Sequence, residues 1–191
     1  MSQQATAFLP FEPHLELVYR RDSFDGVPLP EPVSLYPELR YMGSKHRLLP
    51  WIHGVLRTLE FRTAADPFVG SGCVAFLLKA MGKRVIASDF LNFPTVLASA
   101  TVANNKCRLD GPAVKALLAR RKNGPNFIES TFRGIFYTPE DLRFLDRVCG
   151  NLEELENPHQ RNLARAALLR SCLKKQPRGV FTVSGNLSRY D

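Results

Sequence analysis

Nowhere in its 191 residues does this chain run through 18 consecutive apolar side chains, which excludes a conventional membrane-spanning helix. Its start, Met1-Ser2-Gln3-Gln4, lacks the basic opening and long apolar stretch of a secretory signal, so a cytoplasmic location is expected. Cysteine is sparse: Cys73, Cys107, Cys149 and Cys172 stand far apart, with no Cys-x-x-Cys and no histidine at ligand spacing. That argues against a disulfide framework and a metal centre, and leaves reduced, buried thiols. Internal repeats and low-complexity tracts are also missing.

What is present is a 45% hydrophobic composition, enough for one globular domain or a little more, and a net charge of +8. The charge is unevenly placed. Residues 1–105 carry 10 basic against 9 acidic side chains, and residues 106–191 carry 16 against 9. A basic second half suits an anionic partner.

Three regions follow. Residues 1–39, with Pro10, Pro13, Pro28, Pro30, Pro32 and Pro37, read as an irregular N-terminal extension, since proline at that density prevents long helices and central strands. Residues 40–105 read as an amphipathic helix over about 46–59 followed by a β-α-β-α unit: a strand within 61–68, a glycine turn, a helix over 73–81, a strand over 83–89 and a helix over about 92–105. Residues 106–191 read as helical and basic. Asp110 and Thr138-Pro139-Glu140-Asp141 are helix starts, and Asn157-Pro158 opens a helix reaching about Lys175.

The chemistry gathers around Asp66-Pro67-Phe68-Val69-Gly70-Ser71-Gly72, which ends a strand and opens a helix, with Ala75 completing a Gly-x-Gly-x-x-Ala spacing. Gly70 and Gly72 permit the turn and let a ligand approach the backbone. Asp89 ends the second strand, where a carboxylate can accept hydrogen bonds from ribose hydroxyls. A dinucleotide would satisfy the same spacing, but Asp66 at the loop mouth would repel a pyrophosphate. S-adenosylmethionine has no phosphate and carries a sulfonium and an ammonium, both favoured by a carboxylate. Upstream, Arg40-Tyr41-Met42-Gly43-Ser44-Lys45 sets an aromatic, a small-residue turn and a lysine before a helix, a combination suited to a carboxylate.

In order and spacing, Tyr41-Met42-Gly43-Ser44-Lys45, the glycine loop and Ile86-Ala87-Ser88-Asp89 resemble the opening motifs of the Dam-type (D12 class) DNA adenine N6-methyltransferases. The resemblance is close over about 40–105 and looser from Phe136-Tyr137-Thr138-Pro139 to Gly179-Val180-Phe181. It implies a partial Rossmann-like α/β fold with a helical recognition region, S-adenosylmethionine as cofactor and double-stranded DNA as partner. Tyr41, Lys45 and Asp89 would be the main cofactor contacts, and Asp66, Phe68, Gly70 and Gly72 would shape the pocket. The reaction would move a methyl group to N6 of an adenine flipped out of the duplex.

The family's catalytic motif, Asp-Pro-Pro-Tyr or a close variant, is absent, because none of the 14 prolines has a proline neighbour. No catalytic residue is therefore assigned. The expectation is a chain truncated before that motif, or one whose second half comes from a partner chain, and in either case a strand edge and an apolar face left uncovered. A non-catalytic DNA- or cofactor-binding remnant is the alternative.

Two basic clusters near expected helix ends, Arg120-Arg121-Lys122 and Lys174-Lys175 with Arg178, suit phosphate contacts. Arg161 and Arg165 lie one helical turn apart, where like charges repel by about 0.2–0.5 kcal/mol unless an anion sits between them.

Overall fold

The computed structural model describes residues 27–120, 124–135 and 137–175. These form a mixed α/β structure that is mostly helical, with one small parallel sheet. Strand β1, Thr63–Asp66, pairs with β2, Arg84–Ala87, in a register that sets Thr63 opposite Arg84 and Asp66 opposite Ala87. Parallel strands need a crossover, and helix α2, Cys73–Ala80, provides it. Its Cys73, Ala75, Leu77 and Leu78 are buried, and Gly82, at φ 74°, turns the chain back into β2. Each strand has one edge unpaired among the described residues, and Ile86 on β2 is exposed.

The helix expected over 46–59 is a 3-10 turn, His46–Leu48, followed by helix α1, Leu49–Leu56. The cause is Pro50. An α-helix starting at His46 would need a residue-50 N–H for the His46 carbonyl, and proline has none. The Leu49 N–H bonds that carbonyl instead, in the tighter pattern. Beyond β2, helix α3, Asn92–Ala98, widens into a π-helical turn, Ser99–Ala103. Lys79 reaches over from α2 and donates to the Thr101 and Asn104 carbonyls at 2.9 and 2.5 Å.

Before the sheet, a 3-10 turn at Glu31–Leu35 lays Val33 and Tyr36 into a core shared with Leu49, Cys73 and Leu77. A second core joins Val69 and Ala75 to Ala98 and Val102. Truncating a fully buried leucine such as Leu49 or Leu77 to alanine costs about 2–5 kcal/mol in such settings.

The rest is helical: α4, Gly111–Leu118; α5, Phe127–Phe132; α6, Pro139–Asn151; and α7, Pro158–Lys175. Its core gathers Ala113, Leu117, Val148, Leu152, Leu155 and Ala164. The starts read from sequence are present. Asp110 accepts from the Ala113 N–H, Thr138 and Asp141 cap reciprocally, and Asn157 accepts from the His159 N–H. Helix α6 also holds its neighbours. Asp146 takes the Ile128 and Glu129 N–H groups at the start of α5, and Asn151 donates to the Leu117 and Ala119 carbonyls at the end of α4. Helix α7 is tied to the π turn through Asn162 Nδ2, which donates to Ser99 Oγ at 2.7 Å. No helix among the described residues is long and apolar enough to cross a membrane.

Candidate functional site

At the C-terminal ends of β1 and β2 the chain makes one compact knot. Ser88 N–H donates to the Asp66 carbonyl at 2.9 Å, and Val69 N–H returns to the Ser88 carbonyl at 3.0 Å. A tight turn then closes with Gly72 N–H on the Val69 carbonyl at 2.7 Å. Gly70 and Gly72 hold φ of 50° and 85°, values that favour glycine. Gly72 caps α2, and a Cβ there would meet nothing within 4 Å, so the loop backbone stands open on that side.

Asp89 faces this loop. Its Oδ2 accepts the Gly70 N–H at 3.0 Å and its Oδ1 the Leu91 N–H at 2.9 Å. Those bonds, Leu91 first and Gly70 second, hold its carboxyl below the ordinary carboxylate range. Asp66 goes the other way. Partial burial lifts its carboxyl, a backbone bond from Phe68 opposes the rise, and the neighbouring Asp89 charge adds to it. The Asp89 charge therefore adds to the cost of ionising Asp66, and a cation placed near both would ease that cost.

Tyr41 lies over the same loop. A Cβ built on Gly70 would stand 3.4 Å from Tyr41 Cε1, and the Tyr41 ring is 5.7 Å from that of Phe93 on α3. Ser44 Oγ and Ser71 Oγ are 3.1 Å apart, which joins the lysine motif to the glycine loop. Lys45 is exposed, and its ammonium donates to the Gly43 carbonyl at 2.9 Å. Phe68, expected to shape the pocket, is 84% exposed at the loop rim. Tyr41, Asp66, Gly70, Gly72 and Asp89 are thus brought together, with Lys45 and Phe68 at the edge.

Three residues here were not singled out by sequence reading. Phe90, next to Asp89, is 96% exposed, and an aromatic directly after the strand-end carboxylate was the available signal. Ser44 and Tyr36 also contact the loop. Tyr36 gives no signal, because its position before the lysine motif resembles any core aromatic in a proline-rich stretch.

The basic residues fall into different settings. Arg120 is exposed and borders a polar cleft of about 290 Å³ with Arg143, Arg147, Glu129 and Asp146, while Arg121 and Lys122 lie outside the described residues. Lys174 and Lys175 part company. Lys175 is bound to Asp141 at 2.7 Å, and Lys174 lines a cleft with Glu38, Arg40 and Arg170. Arg178 lies outside the described residues. The Arg161 and Arg165 pair has its anion within the chain, since Glu153 receives both guanidinium groups at 2.6 and 2.8 Å.

Comparison with known proteins identifies the family. Residues 41–174 match the D12 class N6 adenine-specific DNA methyltransferase family. Over 150 residues the chain is 33% identical to the Type II methyltransferase M2.HphI of Haemophilus parahaemolyticus, an alignment covering 78% of this chain and 44% of that protein. The chain therefore spans less than half the length of this relative. No solved structure matches it.

Proposed function

Because the chain belongs to the D12 class N6 adenine-specific DNA methyltransferases, we propose that it is the S-adenosylmethionine-binding part of an enzyme that methylates adenine N6 in double-stranded DNA, within a restriction-modification setting and in the cytoplasm. The parallel β1–α2–β2 unit then serves as the opening of a Rossmann-like sheet, with the ligand at the carboxyl ends of its strands.

One observation carries this reading: Asp66 and Asp89 flank an open glycine backbone, and the Asp89 charge adds to the cost of charging Asp66. A pyrophosphate would make that worse. A ligand bearing a sulfonium and an ammonium removes it. The residues present fit that ligand. Asp89 uses one lone pair on each oxygen for Gly70 and Leu91, and being only partly buried it keeps capacity for two ribose hydroxyls. Phe90 offers a bare aromatic face beside it for the adenine ring. Tyr41 borders the glycine turn, and Lys45 at a helix start can turn from the Gly43 carbonyl to the ligand carboxylate.

S-adenosylmethionine supplies an already activated methyl group, so the protein's task is positioning. The 191 residues contain no Asp-Pro-Pro-Tyr with which to hold the adenine amino group, so that function has to come from outside them, and a second polypeptide segment is part of this reading. Arg120, Arg121, Lys122, Lys174, Lys175 and Arg178 are the proposed phosphate contacts, with Lys175 the weakest of them because Asp141 already engages it.

Isothermal titration of the purified chain with S-adenosylmethionine, and in parallel with NAD, tests the reading. Binding of the first and not of the second is expected. Preference for NAD, or heat from neither, would overturn it.

A further inference from the structure

The glycine loop has a support that lies outside the residues matching the family. Tyr36 ends the 3-10 turn Glu31–Leu35, and only 7% of its surface is exposed. Its ring packs with Val33, Leu49, Cys73 and Leu77, lies 5.5 Å from that of Phe76 and stacks on His46 at 5.7 Å. The hydroxyl at the far end donates to the Ser71 carbonyl at 2.7 Å. Burial pushes the phenol up to about 12, so it remains a donor across the working pH range.

The accepting carbonyl occupies a critical place. Ser71 stands between two glycines at positive φ, and the peptide joining it to Gly72 is held at its N–H by the Val69 carbonyl at 2.7 Å and at its carbonyl by Tyr36. Rotating that plane would break both bonds and open the tight turn that Gly72 closes on Val69. Ser71 itself is buried, and its hydroxyl is in contact with Ser44, so the loop is held both at its side chain and at its carbonyl.

We propose that Tyr36 is a positioning residue for the cofactor site: its hydroxyl fixes the orientation of the Ser71–Gly72 peptide and thereby holds the glycine loop in its ligand-binding form. This rests on the S-adenosylmethionine reading above. The loss of one buried hydrogen bond of about 1 kcal/mol corresponds to about fivefold in affinity.

The test is titration calorimetry of S-adenosylmethionine against three forms of the full chain: wild type, Tyr36→Phe and Tyr137→Phe. Tyr137 is an equally buried tyrosine whose hydroxyl donates to a carbonyl, that of Cys172, away from the loop. Binding about fivefold weaker in Tyr36→Phe, with Tyr137→Phe within twofold of wild type although both melt at lower temperature, is the expected result. Equal affinity in wild type and Tyr36→Phe would overturn the proposal and leave the cofactor reading standing. Absence of binding by wild type would overturn both. Should Tyr36→Phe fold poorly, 4-fluorophenylalanine at position 36 fills the same space without a donor and is held to the same fivefold loss. An unchanged affinity there would also overturn the proposal. 4-Aminophenylalanine at that position restores the donor, and affinity is expected to return to within twofold.

Discussion

Asp89 holds the backbone of Gly70, its Oδ2 accepting the Gly70 N–H at 3.0 Å across 19 residues of sequence. The carboxylate at the end of the second strand is thus part of the loop that follows the first. Removing it withdraws both a proposed ligand contact and a loop contact. Asp89→Ala is expected to weaken S-adenosylmethionine binding by about tenfold to a hundredfold, the range for charge-assisted bonds. Asp89→Asn should lose less, since an amide oxygen can still accept the Gly70 N–H. Calorimetry on both variants checks the order, and equal affinities in all three proteins would remove Asp89 from the site.

Lys174 and Lys175 give opposite expectations. Lys174→Ala should lower duplex affinity whatever the sequence and reduce the salt slope by about one, because it removes a proposed phosphate contact. Lys175→Ala should leave the slope nearly unchanged and reduce stability by about 0.5–1 kcal/mol, because its ammonium holds Asp141 at the start of α6. Fluorescence anisotropy at several salt concentrations separates the two, with urea melts for stability. A slope change confined to Lys175→Ala would reverse the assignment.

Gly150→Ala tests a close approach. Replacing a helical glycine by alanine ordinarily stabilises by about 1 kcal/mol. Here the new Cβ would stand 2.7 Å from Pro125 Cγ, on a ring that cannot swing away. The clash should win, giving a net loss of about 1–3 kcal/mol in denaturant titration. A gain in stability would show that the 124–125 segment yields easily.

Tyr36 also predicts a pH dependence. Its folded pKa, about 12, lies above the ordinary value of 10.0, so the folded state keeps the proton longer than the unfolded chain does. The associated stability is complete below pH 10 and disappears as pH rises from 10 towards 12. Between pH 9 and pH 11, wild type should therefore lose more melting temperature than Tyr36→Phe, the difference cancelling the lysines common to both. Parallel slopes would mean that the phenol is not buried as described.

The sequence made the β1–α2–β2 half legible because its signals are local. Gly70, Gly72 and Asp89 declare a turn and a strand end within a few residues of themselves, and Asp110, Thr138 and Asn157 do the same for helix starts. Contacts set by packing were not legible. Nothing near Tyr36 tells that its hydroxyl meets Ser71, 35 residues on, and nothing near Lys175 marks Asp141 as its partner. Arg161 and Arg165 are instructive in the same way, since the anion between them, Glu153, belongs to the preceding turn of chain. The break in the 46–59 helix was written in Pro50, but leucine periodicity outweighed it.

The short span of the parallel pair bears on the order of assembly. Thr63 to Ala87 is about 25 residues, near the least a parallel pair with a crossover helix requires. Closure entropy grows with the logarithm of the enclosed length, so this unit is cheaper to close than the contact between Arg170 and the Glu38 carbonyl, 132 residues apart. A chain emerging from the ribosome would complete the glycine loop and its Asp89 clasp well before α7 exists to dock. Pulse-labelled hydrogen exchange during refolding should find the Val69 and Ser88 amides protected ahead of those in α7, and the reverse order would show that the helical region folds first. The part proposed to receive the ligand would then be among the earliest formed, in place before the helical region is complete.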